Sequence, residues 1–275
     1  MSRDFSYGFE VVVRELQHLS EELAQTVAGR IREAGNGLRT VATESVRGDL
    51  RGAHTISGID IDTGASVSVD RRAVLSVPLV GSDGRLIGVH FPREPKEITR
   101  MARWAWMRDR TSDREFYLLK PKLEEAGYAP TSTFDDPRPA PWTDPIYIQA
   151  HGGTIFNVLV GPDSENPAWR ILRVTNARFS RKVGSDDVFL QAVDEARSEH
   201  ALLLPCATAA GPAARTIADH LHNEVGVSLT VHGFTGNTLD KMRVDESGGT
   251  SRFGVYEVRD AAGTPIDPVK SYPPG

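Results

Sequence analysis

The chain has 275 residues, 39% of them hydrophobic and 25% charged, with a formal net charge of −5. That is the profile of an ordinary soluble globular protein with room for one large domain, or for a domain and an appendage, and its acidic balance argues against nucleic acid or an anionic membrane as the main partner. A single Cys excludes an internal disulfide and a cysteine-rich zinc centre, His220 and His222 stand two apart where a helical metal pair needs four, and no phosphate-cradling or dinucleotide-binding glycine loop occurs, so neither a metal nor a cofactor is expected; no signal peptide and no membrane span is legible either.

In chain order, residues 9–47 read as helix, because Phe9, Val12, Val13, Leu16, Leu19, Leu23, Val27 and Ile31 recur three or four apart among Glu, Gln and Arg. From His54 to His90 the period changes to two, with alternating runs 55–62, 65–70 and 73–80 and a Ser82-Asp83-Gly84 turn before Arg85–Phe91, which predicts an antiparallel β-meander. Pro95–Arg110 is a helix candidate and Glu115–Leu119 a strand. Residues 131–144, rich in Asp and Pro, form an extended exposed loop. Short apolar runs at 146–150, 156–160, 169–174, 201–205 and 228–231 read as strands, with helices over 185–198, capped by Ser185, and 212–224, and a hairpin at 253–266. The closing Ser271–Gly275 reads as a linker or cut edge. These patterns divide the chain into an N-terminal helical segment (1–50), a β-meander plus helix (51–114) that is accessory or part of the main domain, and an α/β domain (115–275) with a mostly parallel sheet.

Two of the strands end on reactive side chains. Ile146–Ala150 delivers His151-Gly152-Gly153, and Ala201–Pro205 delivers Cys206, 55 positions later. Strand, loop, helix and strand fit between them, so the tips belong to neighbouring strands at the carboxyl edge of the sheet, where open α/β sheets place their sites. An imidazole beside a thiol can take its proton and create the nucleophilic thiolate. The two glycines leave the backbone beside His151 uncrowded, so an amide there and that of Cys206 could face a developing oxyanion. The chemistry this suits is acyl transfer at a peptide bond. Taken alone, Cys206 reads as a buried small hydrophobe, and the matching His-Gly strand is what lowers the weight of that reading.

Gln149-Ala-His-Gly-Gly153 and Leu203-Leu-Pro-Cys-Ala-Thr-Ala-Ala-Gly211 resemble the caspase-like (clan CD) cysteine peptidases, and in particular the lone-cysteine modules of large bacterial polymorphic-toxin-type proteins. Val231-His-Gly-Phe-Thr-Gly236 resembles the strand that follows in that family, and the likeness spans roughly residues 115–260. The resemblance implies an α/β/α sandwich, His151 as base, Cys206 as nucleophile, and the amides of Gly152 and Cys206 as oxyanion donors. The substrate it implies is a polypeptide, the chain's own larger parent being one candidate, with an activating ligand or partner as a further expectation. Leu-Pro-Cys-Ala-Thr departs from the Gln-Ala-Cys-Arg-Gly of animal caspases, so the substrate pocket is not fixed by motif; Asp186, Asp187 and Arg252 are candidates by location only. His232, read at a strand end, is a candidate supporting group or competing base. The alternative function is a catalytically silent α/β binding or assembly module of a large bacterial protein, cytoplasmic or delivered as part of its parent.

Overall fold

The computed structural model describes residues 54–107, 115–119, 134, 136–162, 168–196, 198–243 and 250–275. The chain splits into two units, 1–53 and 54–275. The helix expected over 9–47 lies outside the described residues, and all that follows concerns the second unit.

Uninterrupted apolar runs form strands that are buried on both faces, and four of these pair in parallel to make the heart of the sheet. They are β4 (Leu86–Phe91), β7 (Ile146–Gly152), β10 (His200–Leu203) and β11 (Thr230–Phe234). Antiparallel strands extend this heart on both sides: β1 (Thr55–Asp60), β2 (Ser66–Asp70), β3 (Val77–Val80), β8 (Ile155–Val160), β9 (Arg170–Thr175) and β14 (Val269–Tyr272). The resulting mixed ten-stranded sheet runs β14-β11-β10-β7-β8-β9-β1-β2, with β4 and β3 branching from β7. A four-stranded sheet of β12 (Thr238–Arg243), β13 (Thr250–Tyr256), β5 (Glu115–Leu119) and β6 (Pro137–Pro139) has the order β12-β13-β5-β6. The protein is therefore of the α/β class. Residues 54–107 are woven into the main sheet rather than forming a separate meander, since β1 pairs with β9 and β4 with β7.

The two faces of the heart are covered differently. One carries α2 (Asn176–Gly184), α3 (Asp187–Glu195) and α4 (Ala213–His220), whose Phe179, Val183, Phe189, Ala192, Ala214 and Ile217 pack on Val89, Phe91, Ile148, Leu203 and Val231. Phe179 stacks on Phe156 at 4.0 Å between ring centroids and meets the edge of Phe91 at 5.2 Å. The other face carries α1 (Lys96–Trp106) and the four-stranded sheet, which bury Trp104, Phe116, Trp142, Phe253 and Val255 against Tyr147, Leu202 and Phe234. Trp104 meets Tyr147 edge-on at 5.2 Å, an arrangement worth about 1 kcal/mol beyond its buried area. Among the described residues no helix is long and apolar enough to cross a membrane.

Three sequence expectations are corrected. The helix expected over 185–198 with Ser185 as its cap is α3, which begins at Asp187 and is capped by Asp186 accepting from the Phe189 amide; Ser185 instead closes the preceding α2 by donating its hydroxyl to the Arg181 carbonyl. The tail is not a linker throughout, because residues 269–272 form β14 against β11. His232 is not at a strand tip, since pairing with β14 carries β11 on through Gly233 to Phe234. Its ring is 1% exposed, lies against Trp142, and is hydrogen-bonded to His200 (3.0 Å) and Ser271 (2.8 Å).

Burial, and then the neighbouring His200, push His232 down to about 4, and burial lowers His200 as well. Both rings are neutral in the fold while the unfolded chain takes up protons near pH 6.5, so their contribution is complete above 6.5 and is lost as pH falls toward 4. The melting temperature is expected to drop between pH 7 and pH 4.5, and less steeply in His232→Leu. Equal slopes in thermal unfolding scans of the two proteins would show that this pair does not carry the acid sensitivity.

Candidate active site

The parallel register Ala201↔Ile146, Leu202↔Tyr147, Leu203↔Ile148 sets the two reactive tips side by side, and the Leu204 amide extends it by donating to the Ile148 carbonyl at 3.0 Å. Past that point the β10 chain leaves the sheet while β7 runs on to Gly152. The loop after β10 is braced to the end of β11: the Ala207 amide donates to Gly236, the Ala209 amide to Phe234, and the buried Thr208 hydroxyl accepts from the Phe234 amide. Ala207 sits at φ 51°, an uncommon place for a residue with a side chain, and so turns the backbone sharply right after Cys206. The thiol is exposed. The buried-hydrophobe reading of Cys206 does not describe this residue.

On the other tip β7 forks. β4 flanks it only as far as Ala150, paired with Phe91, and from His151 onward β8 takes over, with His151 opposite Asn157 and Gly152 opposite Phe156. Gly152 holds φ 144°, where a Cβ would meet the Ile155 carbonyl oxygen at 2.1 Å. A Cβ on Gly153 would come 2.6 Å from the Cys206 carbonyl oxygen. The two loops are therefore in backbone contact, and only glycine permits it.

The sulfur of Cys206 lies 3.9 Å from both the carbonyl and the hydroxyl oxygen of Thr238, the first residue of β12, and those are its hydrogen-bonding neighbours among the described residues. Thr238 is itself fixed by donating its hydroxyl to the Leu204 carbonyl at 2.7 Å. The His151 ring points Nε2 at Glu97 Oε1, 2.8 Å away, although the contact is not directed along a linear N–H···O line. Burial, chiefly, and then the cations of Arg93 and Arg100 hold His151 below its usual value against the opposing pull of Glu97 and Glu94. The imidazole is thus neutral near pH 7, as a base must be. Behind it His90, fully buried, binds Gln149 Oε1 through Nδ1 at 2.8 Å and is pushed by burial to about 4.

The remaining sequence candidates go elsewhere. Asp186 is 3% exposed and is spent on the α3 cap and a 2.8 Å ion pair with the buried Lys182. Asp187 is exposed in the first turn of α3. Arg252 stacks over the Tyr117 ring, 5.3 Å from its centroid, on the four-stranded sheet. His232 stands level with Leu202, four residues or roughly 13 Å short of the Cys206 level along the strands, with its hydrogen bonds satisfied in the core. Glu97 and Thr238 are the contacts that sequence reasoning missed. The one signal for Glu97 was an acid in the first turn of the helix that follows the strand parallel to β7. Among the described residues no group of three or more His, Cys, Asp or Glu is placed to hold a metal ion.

Comparison with known protein families, with curated proteins and with solved structures gives no match.

Gly153→Ala is expected to force the two loops apart at a cost of about 1–3 kcal/mol, read as a lower melting temperature, and to change the rate at which iodoacetamide alkylates Cys206. Unchanged stability and alkylation would show that the backbone contact is unimportant.

Proposed function

We propose that the chain is a cysteine endopeptidase of caspase-like type, with Cys206 as nucleophile and His151 as base. The observation that carries this reading is the exposed thiol at the end of β10 in backbone contact with the loop that presents a neutral imidazole at the end of β7. The helix-covered face of the parallel heart is what the α/β/α sandwich implied by the sequence resemblance requires, while the other face departs from it by carrying a four-stranded sheet beside α1; the order of the two tips fits its dyad.

The reaction begins with rotation of the thiol away from Thr238. Because Nε2 of His151 faces Glu97, the lone pair that accepts the Sγ proton is on Nδ1. The thiolate attacks the scissile carbonyl carbon, and the charge passes to the carbonyl oxygen, met by the amides of Gly152 and Cys206. The flanking amides of Gly153 and Ala207 already serve the carbonyls of Ile155 and Gly236. The imidazolium gives its proton to the leaving nitrogen as the C–N bond breaks. Water, deprotonated by His151, then attacks the thioester carbon and releases the acid and the thiol.

Support for a polypeptide rather than a small ester comes from β12. Among the described residues it is an edge strand paired only with β13, and it starts at the residue that touches the sulfur. An extended peptide can add to such an edge through main-chain hydrogen bonds and lay its scissile bond beside Cys206. The parent polypeptide, if longer than this chain, is a natural substrate. The contact of the resting thiol with Thr238 favours a second reading, an enzyme that stays silent until a ligand or partner reorders the loops.

Incubating the protein with peptide libraries and with its own parent sequence, beside Cys206→Ala and His151→Ala, tests the proposal. Cleavage by the wild type that falls at least about 100-fold in both variants is expected. Equal cleavage by all three, or none under any condition including added candidate activators, would sink it. The rate should also fall on acidification with a midpoint below 6.5, because His151 is held below its usual value; a midpoint well above 6.5 would point to a different base.

A further inference from the structure

We propose that Glu97 is a positioning residue for His151, an acid contributed by the segment before the region of resemblance, which fixes the ring and balances the charge it gains. This deepens the peptidase reading and rests on it. The carboxyl group is 4% exposed, yet both its oxygens are placed: Oε1 lies 2.8 Å from His151 Nε2, and Oε2 accepts the Arg93 amide at 2.7 Å. The second bond is a local helix-start device, in which a first-turn acid reaches back to an amide preceding the helix. It locks the carboxyl group to the beginning of α1, and the fork of the sheet at His151 leaves that helix start directly over the imidazole.

A buried carboxylate is costly unless something cationic answers it. The charged and titratable groups facing it are few. Arg93 approaches Oε1 only to 3.7 Å and is 42% exposed, and it is shared with Glu94. Arg100 acts on His151 through space, and Glu94 opposes it. His90 remains neutral, bound to Gln149. His151 is thus the group through which the carboxylate is best compensated, and compensation is greatest when the ring is protonated. That is the state reached after the thiol gives up its proton. The contact is close but poorly aligned at rest, and contacts of this kind tighten as charge develops in the reaction complex. The same contact fixes the tautomer, with the proton on Nε2 and the lone pair on Nδ1.

The test uses Glu97→Gln and Glu97→Asp in the full chain. The ring signals of His151, titrated by NMR, should move to lower pH in Glu97→Gln, because the anion that favours the imidazolium is gone. Glu97→Asp should recover part of the shift. For a peptide that the wild type cleaves, kcat should fall about 100-fold in Glu97→Gln with KM changed less than about 2-fold, and Glu97→Asp should restore a measurable part of it. An unshifted titration, or an unchanged kcat in a folded Glu97→Gln protein, overturns the proposal. Equal loss in both variants together with a lowered melting temperature, or failure of both to fold, assigns Glu97 to the fold and overturns it as well. Because the titration reads the imidazole and not turnover, a wild type that cleaves nothing would defeat the peptidase reading while the Glu97–His151 pairing is still judged by the shift.

Discussion

Parallel pairing of β7 with β10 is the constraint from which everything else at the site follows. Three register pairs and the Leu204–Ile148 hydrogen bond fix the level at which each chain leaves the sheet. A slip of one residue would turn every side chain of β10 to the opposite face and bring Leu202 and Leu204 out of the layer they share with Trp142 and Phe253. The register is therefore enforced by burial on both faces, and the placement of Cys206 beside Gly153 is inherited from it.

Strands buried on both sides leave their ends as the only places where polar chemistry can stand without penalty. The loop after β10 uses this freedom with few parts: a left-handed turn at Ala207, a buried Thr208 hydroxyl that accepts from the Phe234 amide, and two backbone hydrogen bonds to β11 and its following turn. Opposite it, the fork at His151 breaks the continuity of the sheet. A side chain at such a fork is packed less closely by strands than one a residue earlier, and His151 is indeed half-buried where Ala150 is sealed. The start of α1 fills the opening with a carboxylate rather than with an aliphatic group, so the site is lined from two directions by parts of the chain 54 residues apart.

Much of this was legible from the residues. The apolar runs before His151 and Cys206 could be read as buried strands because they are short, branched and closed by small residues, and their adjacency followed from the length of chain between them. What lay beyond reach was whatever depends on partners in space. Gly233 looked like the end of a strand, yet pairing with β14 carries the chain through it, which moved His232 from a supposed tip into the core. Helix α2 has only Phe179 and Val183 as large buried apolar side chains among Arg, Lys and Ser, too thin a stripe to stand out. Glu97 carries no motif at all. Its importance comes from a strand and a helix start meeting a third element, which a one-dimensional pattern does not record.

The open setting of Cys206 has a chemical corollary. An exposed sulfur is within reach of peroxide, and a chain with a single cysteine has no resolving thiol of its own to trap a sulfenic acid before it is oxidised further. Rescue has to come from a thiol outside these 275 residues, so the redox state of the surroundings decides how long this group survives.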